Sequence, residues 1–308
     1  MQTNESWIFP LFSDHVTYER TMTQFSDVHL YTGSKCNRSC DFCIVYGRPD
    51  GWYKPMTTES LDLILEVVPS TANIKFYGGE PTIDDENVIW AMGYLREKGF
   101  AGWFTIFSNG VLADRVIEIL DSDAKSEVVL NYSILHGVDA EPIPPPSLKK
   151  LSSYAAINPD RIFSSHAGVF PYGRGVEFTQ QVGQEHIVER THTSYNKAIE
   201  IGKMTPETAK QIEEEKGFRV CPRCRPALRT DGVFHACPFA VESNARHYQL
   251  GKLGETSGKE VLDNFHQFLE WIDTTLEPEA ERLKLHPCQV CTHRIETLPS
   301  FREIRKAN

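Results

Sequence analysis

Three cysteines within eight residues, Cys36-Asn-Arg-Ser-Cys40-Asp-Phe-Cys43, carry the spacing that most narrowly limits what this chain can do chemically. Thiolates spaced in this way on one loop can each bind one iron of a 4Fe-4S cluster. The fourth iron is then left with open coordination, unlike the four-cysteine ligation of electron-carrier clusters. An open iron can bind a substrate or a small cofactor. A zinc site or a purely structural cysteine loop is the competing reading of the same residues.

Five more cysteines, Cys221, Cys224, Cys237, Cys288 and Cys291, follow after 177 residues that contain none. Two metal sites, one per region, are the simplest reading. The CxxC pairs at 221–224 and 288–291 have zinc-ribbon spacing, but the 63 residues between them far exceed a ribbon's loop, and Cys237 would be left over. Arg219, Arg223, Arg225 and Arg229 interleave with these cysteines. They either offset the charge of a bound cluster or clamp a substrate carboxylate or phosphate. The eleven histidines show no HxxxH or HExxH pairing, so none is assigned to metal.

A formal charge of -10 argues against a partner bound by neutralising phosphates, so nucleic acid is not expected. The start MQTNESWIFPLFSDH lacks a basic segment followed by an apolar run, and no stretch approaches 18 uninterrupted apolar residues. A soluble, cytoplasmic protein with no membrane partner is expected, and in that reducing setting the cysteines are thiols or metal ligands.

The elements that must carry these residues alternate between short β-branched or aromatic runs and helical patterns, as in βα units of a parallel sheet. Strands are expected at Val28–Tyr31, Ile74–Tyr77, Phe104–Phe107, Val128–Ile134 and Arg161–Ser164. Helices are expected after Thr57 (Leu61, Ile64, Leu65, Val68 on one face), after Thr82 (Val88, Met92, Leu95, stopping at Gly99) and through Leu112, Val116, Ile119 and Leu120. EPIPPPS at 141–147 reads as a connecting loop, and 205–217 as a helix from Thr205 to Gly217. A complete eightfold barrel needs ~250 residues, whereas the span from 28 to 217 has room for roughly six units. The expected architecture is α/β: an N-terminal extension (1–26), a partial (β/α)6, TIM-like barrel (27–217) and a small C-terminal auxiliary domain (218–308). Asp231-Gly232 reads as a hairpin turn in that last part. The first cysteine loop then lies at the C-terminal mouth of the parallel strands, where such folds place their chemistry.

With Cx3CxxC directly after the first strand and aromatic Phe42 before the last cysteine, the chain resembles the radical S-adenosylmethionine (SAM) superfamily. The resemblance implies that Cys36, Cys40 and Cys43 hold a 4Fe-4S cluster, with SAM chelating its open iron through amino and carboxylate groups. One electron from the reduced cluster then breaks the sulfonium bond and yields a 5'-deoxyadenosyl radical. Gly78-Gly79-Glu80-Pro81 resembles the family's glycine-rich cofactor motif, in which glycines let the backbone approach the methionine ammonium and a carboxylate suits its charge. Ser108-Asn109-Gly110 is similar to the polar motif after the third strand of many members, and Ser133 occupies a position that often binds ribose or carboxylate.

The order Cys221, ten residues, Gly232, four residues, Cys237, a helix and Cys288-x-x-Cys291 resembles the auxiliary-cluster extension of the SPASM and twitch groups. Further cysteines after the CxxC are lacking, so one auxiliary 4Fe-4S cluster is implied, two clusters in all. Either Cys221, Cys237, Cys288 and Cys291 hold it, or Cys221, Cys224 and Cys237 do, as in molybdenum-cofactor cyclases. In the first case Cys224 is a free thiol, competent as a hydrogen-atom donor. The resemblance implies a radical SAM enzyme of oxidoreductase or peptide-modifying type, most directly a maturase in biosynthesis of ribosomally made peptides that crosslinks, epimerises or excises backbone. A reductant such as flavodoxin or ferredoxin is implied, and a separate leader-binding protein is expected because few residues precede the first strand. The alternatives are a small-molecule dehydrogenase or cyclase, of aminoglycoside or molybdenum-cofactor type, and a non-catalytic iron-sulfur electron carrier.

Overall fold

The computed structural model describes residues 24–130, 134–135, 138–139, 143–164, 172–175, 177–178, 225–283, 285 and 287–303. Ser133, Arg219, Cys221, Arg223, Cys224, the helix expected at 205–217 and most of the N-terminal extension lie outside the described residues.

Strands and helices alternate as the periodicity requires: β1 (Asp27–Tyr31), α1 (Thr58–Val67), β2 (Asn73–Tyr77), α2 (Asp85–Glu97), β3 (Trp103–Ser108), α3 (Ala113–Ser122) and β4 (Ser126–Leu130). A two-residue hairpin, β5 (Ile134–Leu135) with β6 (Val138–Asp139), precedes α4 (Pro145–Ile157) and β7 (Ile162–Ser164). The fourth strand begins two residues before the expected start and is described as far as Leu130, and Ile134 belongs to the hairpin. The Pro-rich stretch is also not all loop. Pro145 and Pro146 open α4, where a fixed φ suits the first turn and the missing N–H has no intrahelical partner to lose.

Local chemistry sets the helix ends. Thr57 caps α1 in a reciprocal box with Ser60, an arrangement worth about 1 kcal/mol. Asp84 caps α2 by accepting from the Asn87 N–H at 3.2 Å, and Gly99, at φ 88°, lets the chain leave that helix.

Strands β1, β2, β3, β4 and β7 pair in parallel in that order. Alternation gives their two faces different characters. Val28, Leu30, Ile74, Phe76, Phe104, Ile106, Val128 and Leu130 form one core with the buried faces of α1, α2 and α3. The opposite face is layered. Its lower row reads Asp27 and Asn73, its middle row His29, Lys75, Thr105 and Glu127 in register, and its upper row Tyr31, Tyr77 and Phe107. Thr105 donates to Glu127 at 2.7 Å, so the buried middle row satisfies part of its polar demand internally.

The C-terminal part contains β8 (Ala227–Arg229), β9 (Val233–His235), β10 (Gln249–Lys252), α5 (Gly258–Trp271), α6 (Glu277–Leu283) and α7 (Pro287–Arg294). Gly232, at φ 99°, makes the expected turn between β8 and β9. The boundary expected at 217 falls before a hairpin that extends the first sheet. β8 pairs in parallel with β1, placing His29 opposite Ala227, and among the described residues the order is β10-β9-β8-β1-β2-β3-β4-β7, an eight-stranded sheet that does not close on itself. The cause is visible in β1, whose free edge would otherwise expose unpaired N–H and C=O groups. Helix α5 then returns to α1: Phe265 meets Phe25 edge-on at 5.0 Å, and the Gly258 N–H donates to Glu66 at 3.1 Å.

Asp27 ties the two parts together beneath the site. Its carboxylate pairs with Lys75 at 3.3 Å and with Arg225, just before β8, at 3.0 Å. Removing one member of a buried pair strands the other charges without partners. Asp27→Ala is therefore expected to lower unfolding free energy by about 3–5 kcal/mol in urea titrations. A loss below about 1 kcal/mol would show that the ion pairs do not join the two parts.

Candidate active site

The cysteine loop leaves β1 at Thr32 and folds back on itself. Lys35 bridges to Arg48, the Cys36 N–H donates to Arg48 O at 2.9 Å, and the Lys35 N–H donates to Trp52 O at 3.0 Å. Cys36, Cys40 and Cys43 sit inside this closed loop at the C-terminal end of the parallel strands. Gly33 has φ 122°, and a Cβ there would come 2.3 Å from Trp52 O, so the turn into the loop admits only glycine.

The turn after β2 locks against this loop. The Gly79 N–H donates to Gly33 O at 2.7 Å and the Glu80 N–H to Lys35 O at 3.0 Å. A Cβ on Gly79 would lie 2.1 Å from Lys35 O, and one on Gly78 2.7 Å from Gly33 O. The crowding that demands both glycines comes from the cysteine loop itself. Glu80, the carboxylate of that glycine-rich motif, is hydrogen-bonded within the chain. Its buried side chain accepts from Thr82 N and Oγ1 at 3.1 and 2.7 Å and from the Asn109 N–H at 2.7 Å. Burial raises its carboxyl pKa, against these hydrogen bonds, which lower it. The carboxylate thus braces two loops, and Pro81 opens a short buried turn behind it.

Asn109 closes the site from β3. Its Nδ2 lies 2.7 Å from Asn37 Oδ1 and 3.7 Å from Cys36 Sγ. Ser108 is buried and accepts from the Gly110 N–H at 3.0 Å. Phe42 packs edge-on against Phe178 at 5.7 Å.

The three thiols suit a cluster. Burial pushes the Cys36 thiol up to about 12, with the Arg38 N–H acting against that rise. A thiolate there needs a cation beside it, which the iron of a bound cluster would supply. Among the described residues no three His, Cys, Asp or Glu side chains group as ligands of one ion. A polynuclear cluster needs no such convergence, since it takes one thiolate per iron.

A second group lies beside this loop, built on Trp52 and Glu242, which the sequence did not single out, together with arginines and cysteines that it did. Tyr31 and Trp52 both donate to Glu242, Trp52 Nε1 at 2.9 and 3.1 Å from its two oxygens. Arg229 stacks over the Trp52 ring at 5.1 Å and donates to Val241 O at 2.7 Å. It also pairs with Asp231, while Arg225 is held by Asp27, so these two arginines are engaged within the chain. The Tyr77 hydroxyl donates to Pro238 O at 2.9 Å, next to Cys237. Cys291 lies on α7, three positions after Cys288. Burial first, then the Cys291 thiol, with Cys237 among the lesser causes, holds the Tyr248 hydroxyl far above its usual pKa. The Tyr248 hydroxyl donates to Cys291 O at 3.4 Å, and Cys237 and Cys291 both pack, partly buried, against the main core. Apart from those arginines and cysteines, only the aromatic ends of β1 and β2 hinted at this cluster in the sequence.

Residues 30–151 match the family model described as the Radical SAM superfamily. No curated protein matches the chain. Among solved structures, anSMEcpe with bound AdoMet and Kp18Cys peptide superposes with a TM-score of 0.55 at 14% identity, over 85% of this chain and 88% of that one. Streptococcus suis SuiB bound to precursor peptide SuiA gives 0.48 at 14%, over 89% and 73%. BtrN in complex with AdoMet and 2-DOIA gives 0.48 at 15%, over 86% and 92%. At such identities the first speaks for the fold, and the other two superpose too loosely to add to it. The chain carries a Radical SAM superfamily domain over residues 30–151, and that family implies an enzyme that uses S-adenosylmethionine with a 4Fe-4S cluster.

Proposed function

We propose that this protein reductively cleaves S-adenosylmethionine at a cluster held by Cys36, Cys40 and Cys43, and uses the resulting radical to modify a ribosomally made peptide. The observation that carries the first half is the cysteine loop pinned under Gly78-Gly79 at the mouth of the parallel strands. When bound, the cluster supplies the single electron that breaks the sulfonium bond. The chain's own residues hold the thiols: Asn109 and the Arg38 N–H face Cys36, and Glu80 fixes the loop that carries Asn109. SAM would sit over Gly78, Gly79 and Ser108-Asn109, with Phe42 flanking.

A peptide substrate is supported by the twitch-like order of the C-terminal cysteines and by the peptide held in anSMEcpe, whose fold this chain shares. The order of cysteines supports an auxiliary cluster in this region, held by Cys221, Cys237, Cys288 and Cys291 or by Cys221, Cys224 and Cys237, with Cys288 and Cys291 on one helix. A reductant such as flavodoxin or ferredoxin would deliver the electron.

Two outcomes are expected. Anaerobically reconstituted protein should contain about eight irons per chain if both regions hold 4Fe-4S clusters; elemental analysis giving about four irons and one zinc would refute the second cluster. Replacing Cys36, Cys40 and Cys43 together by Ala should abolish 5'-deoxyadenosine formation, whereas Cys291→Ala should leave cleavage intact and lose the peptide product. Chromatography of single-turnover reactions reads both. Undiminished deoxyadenosine in the triple variant would overturn the central assignment, and an undiminished product yield in Cys291→Ala would remove the auxiliary site from the reaction.

A further inference from the structure

Cys43 has a backbone donor that the sequence does not announce. The Gly47 N–H points at its Sγ over 3.1 Å. It does so because Tyr46 turns the chain through φ 55°, the left-handed region, which a tyrosine occupies only where its surroundings hold it. The Tyr46 side chain is no anchor, being 41% exposed. Gly47 sits tightly below it, since a Cβ there would press on Cys36 Cβ, Cys43 Sγ and Gly79 Cα, each at 3.3 Å.

The groups that hold this turn come from more than a hundred residues away in sequence. The Arg174 N–H donates to Cys43 O at 3.1 Å, and its guanidinium donates to Gly47 O at 2.6 Å. One residue thereby grips both ends of the 43–47 turn. Its approach is fixed by Gly173 at φ 60°, where a Cβ would come 2.4 Å from Ile44 O, and by Phe178 against Phe42.

We propose that Arg174 is a positioning residue: it holds Tyr46 in its strained turn so that the Gly47 N–H stays on the Cys43 thiolate, and it thereby sets the reduction potential of the cluster bound there. This rests on the cluster assignment above, but makes Arg174 neither a ligand nor a SAM contact. A hydrogen bond to a ligating sulfur stabilises the more negative, reduced cluster more than the oxidised one, so it raises the potential. Loss of the grip should let the turn relax and the bond lapse.

The test is a redox titration of the reconstituted full-length protein followed by electron paramagnetic resonance, using the signal that vanishes in the Cys36, Cys40 and Cys43 triple variant. Arg174→Ala should shift its midpoint to more negative potential. Tyr46→Gly alone should leave the midpoint in place, because glycine adopts the left-handed turn without strain. Combined with Arg174→Ala, Tyr46→Gly should recover most of the shift. An unchanged midpoint in Arg174→Ala overturns the proposal, as does a shift that Tyr46→Gly fails to reduce, which would mark a pure charge effect. Should Arg174→Ala lose its iron, recovery of iron in the double variant supports the proposal and continued loss refutes it. Absence of any such signal in the unsubstituted protein would instead overturn the cluster assignment, and this proposal with it.

Discussion

The whole site hangs on the backbone of the cysteine loop lying directly against the turn after β2, at a distance that leaves no room for side chains between them. Gly79 and Glu80 donate to Gly33 O and Lys35 O, which continues the β1–β2 pairing past the ends of both strands. Two peptide hydrogen bonds at this contact contribute on the order of 1 kcal/mol each. Their larger effect is geometric. They fix Cys36 relative to the sheet, and they carry Glu80 into a buried position from which it can hold the Asn109 N–H. A Cβ at Gly79 would force the two loops apart and release that chain of contacts.

Below this contact the sheet separates functions by face. The side packed on α1, α2 and α3 is apolar apart from Ser126 and Ser108 at its two ends and carries most of the hydrophobic stabilisation, with fully buried Phe, Leu and Ile side chains worth about 1.5–3 kcal/mol each. The other side is polar at its base and aromatic at its top. Charges at the base compensate one another through Asp27, Lys75 and Arg225. The aromatic row of Tyr31, Tyr77 and Phe107 closes the space directly beneath the cysteine loop. The buried hydroxyls of Tyr31 and Tyr77 both act as donors, to Glu242 and to Pro238 O. Those two bonds dock the segment that follows β9, and with it Cys237, onto the mouth of the sheet.

The same docking makes the C-terminal part a component of the site. β8 satisfies the outer edge of β1, and Glu242 reaches Trp52, whose carbonyl already steadies Lys35 in the cysteine loop. Glu242 and Trp52 thus link the C-terminal segment to the cysteine loop through two side chains and one backbone hydrogen bond.

Much of this could be read from the sequence, for reasons of range. The strands β1, β2, β3 and β7 and the helices α1, α2, α3 and α5 follow from periodicity and caps, which act over a few residues. Cx3CxxC placed three thiols on one loop because neighbours in sequence must be neighbours in space, and the pair Asp231-Gly232 announced its turn by residue type alone. The start of α4 was hidden because prolines usually mark loops, and only the helix that follows shows that these occupy a first turn. The tertiary structure alone decided which residues meet across long stretches of chain: that Gly78 and Gly79 are demanded by the cysteine loop, that Glu80 faces inward, that β8 joins β1, and that Glu242 and Arg174 reach the cysteine loop and its flanks. Those contacts depend on loop closure over more than a hundred residues in the last two cases, and no local pattern records where a chain will return to itself.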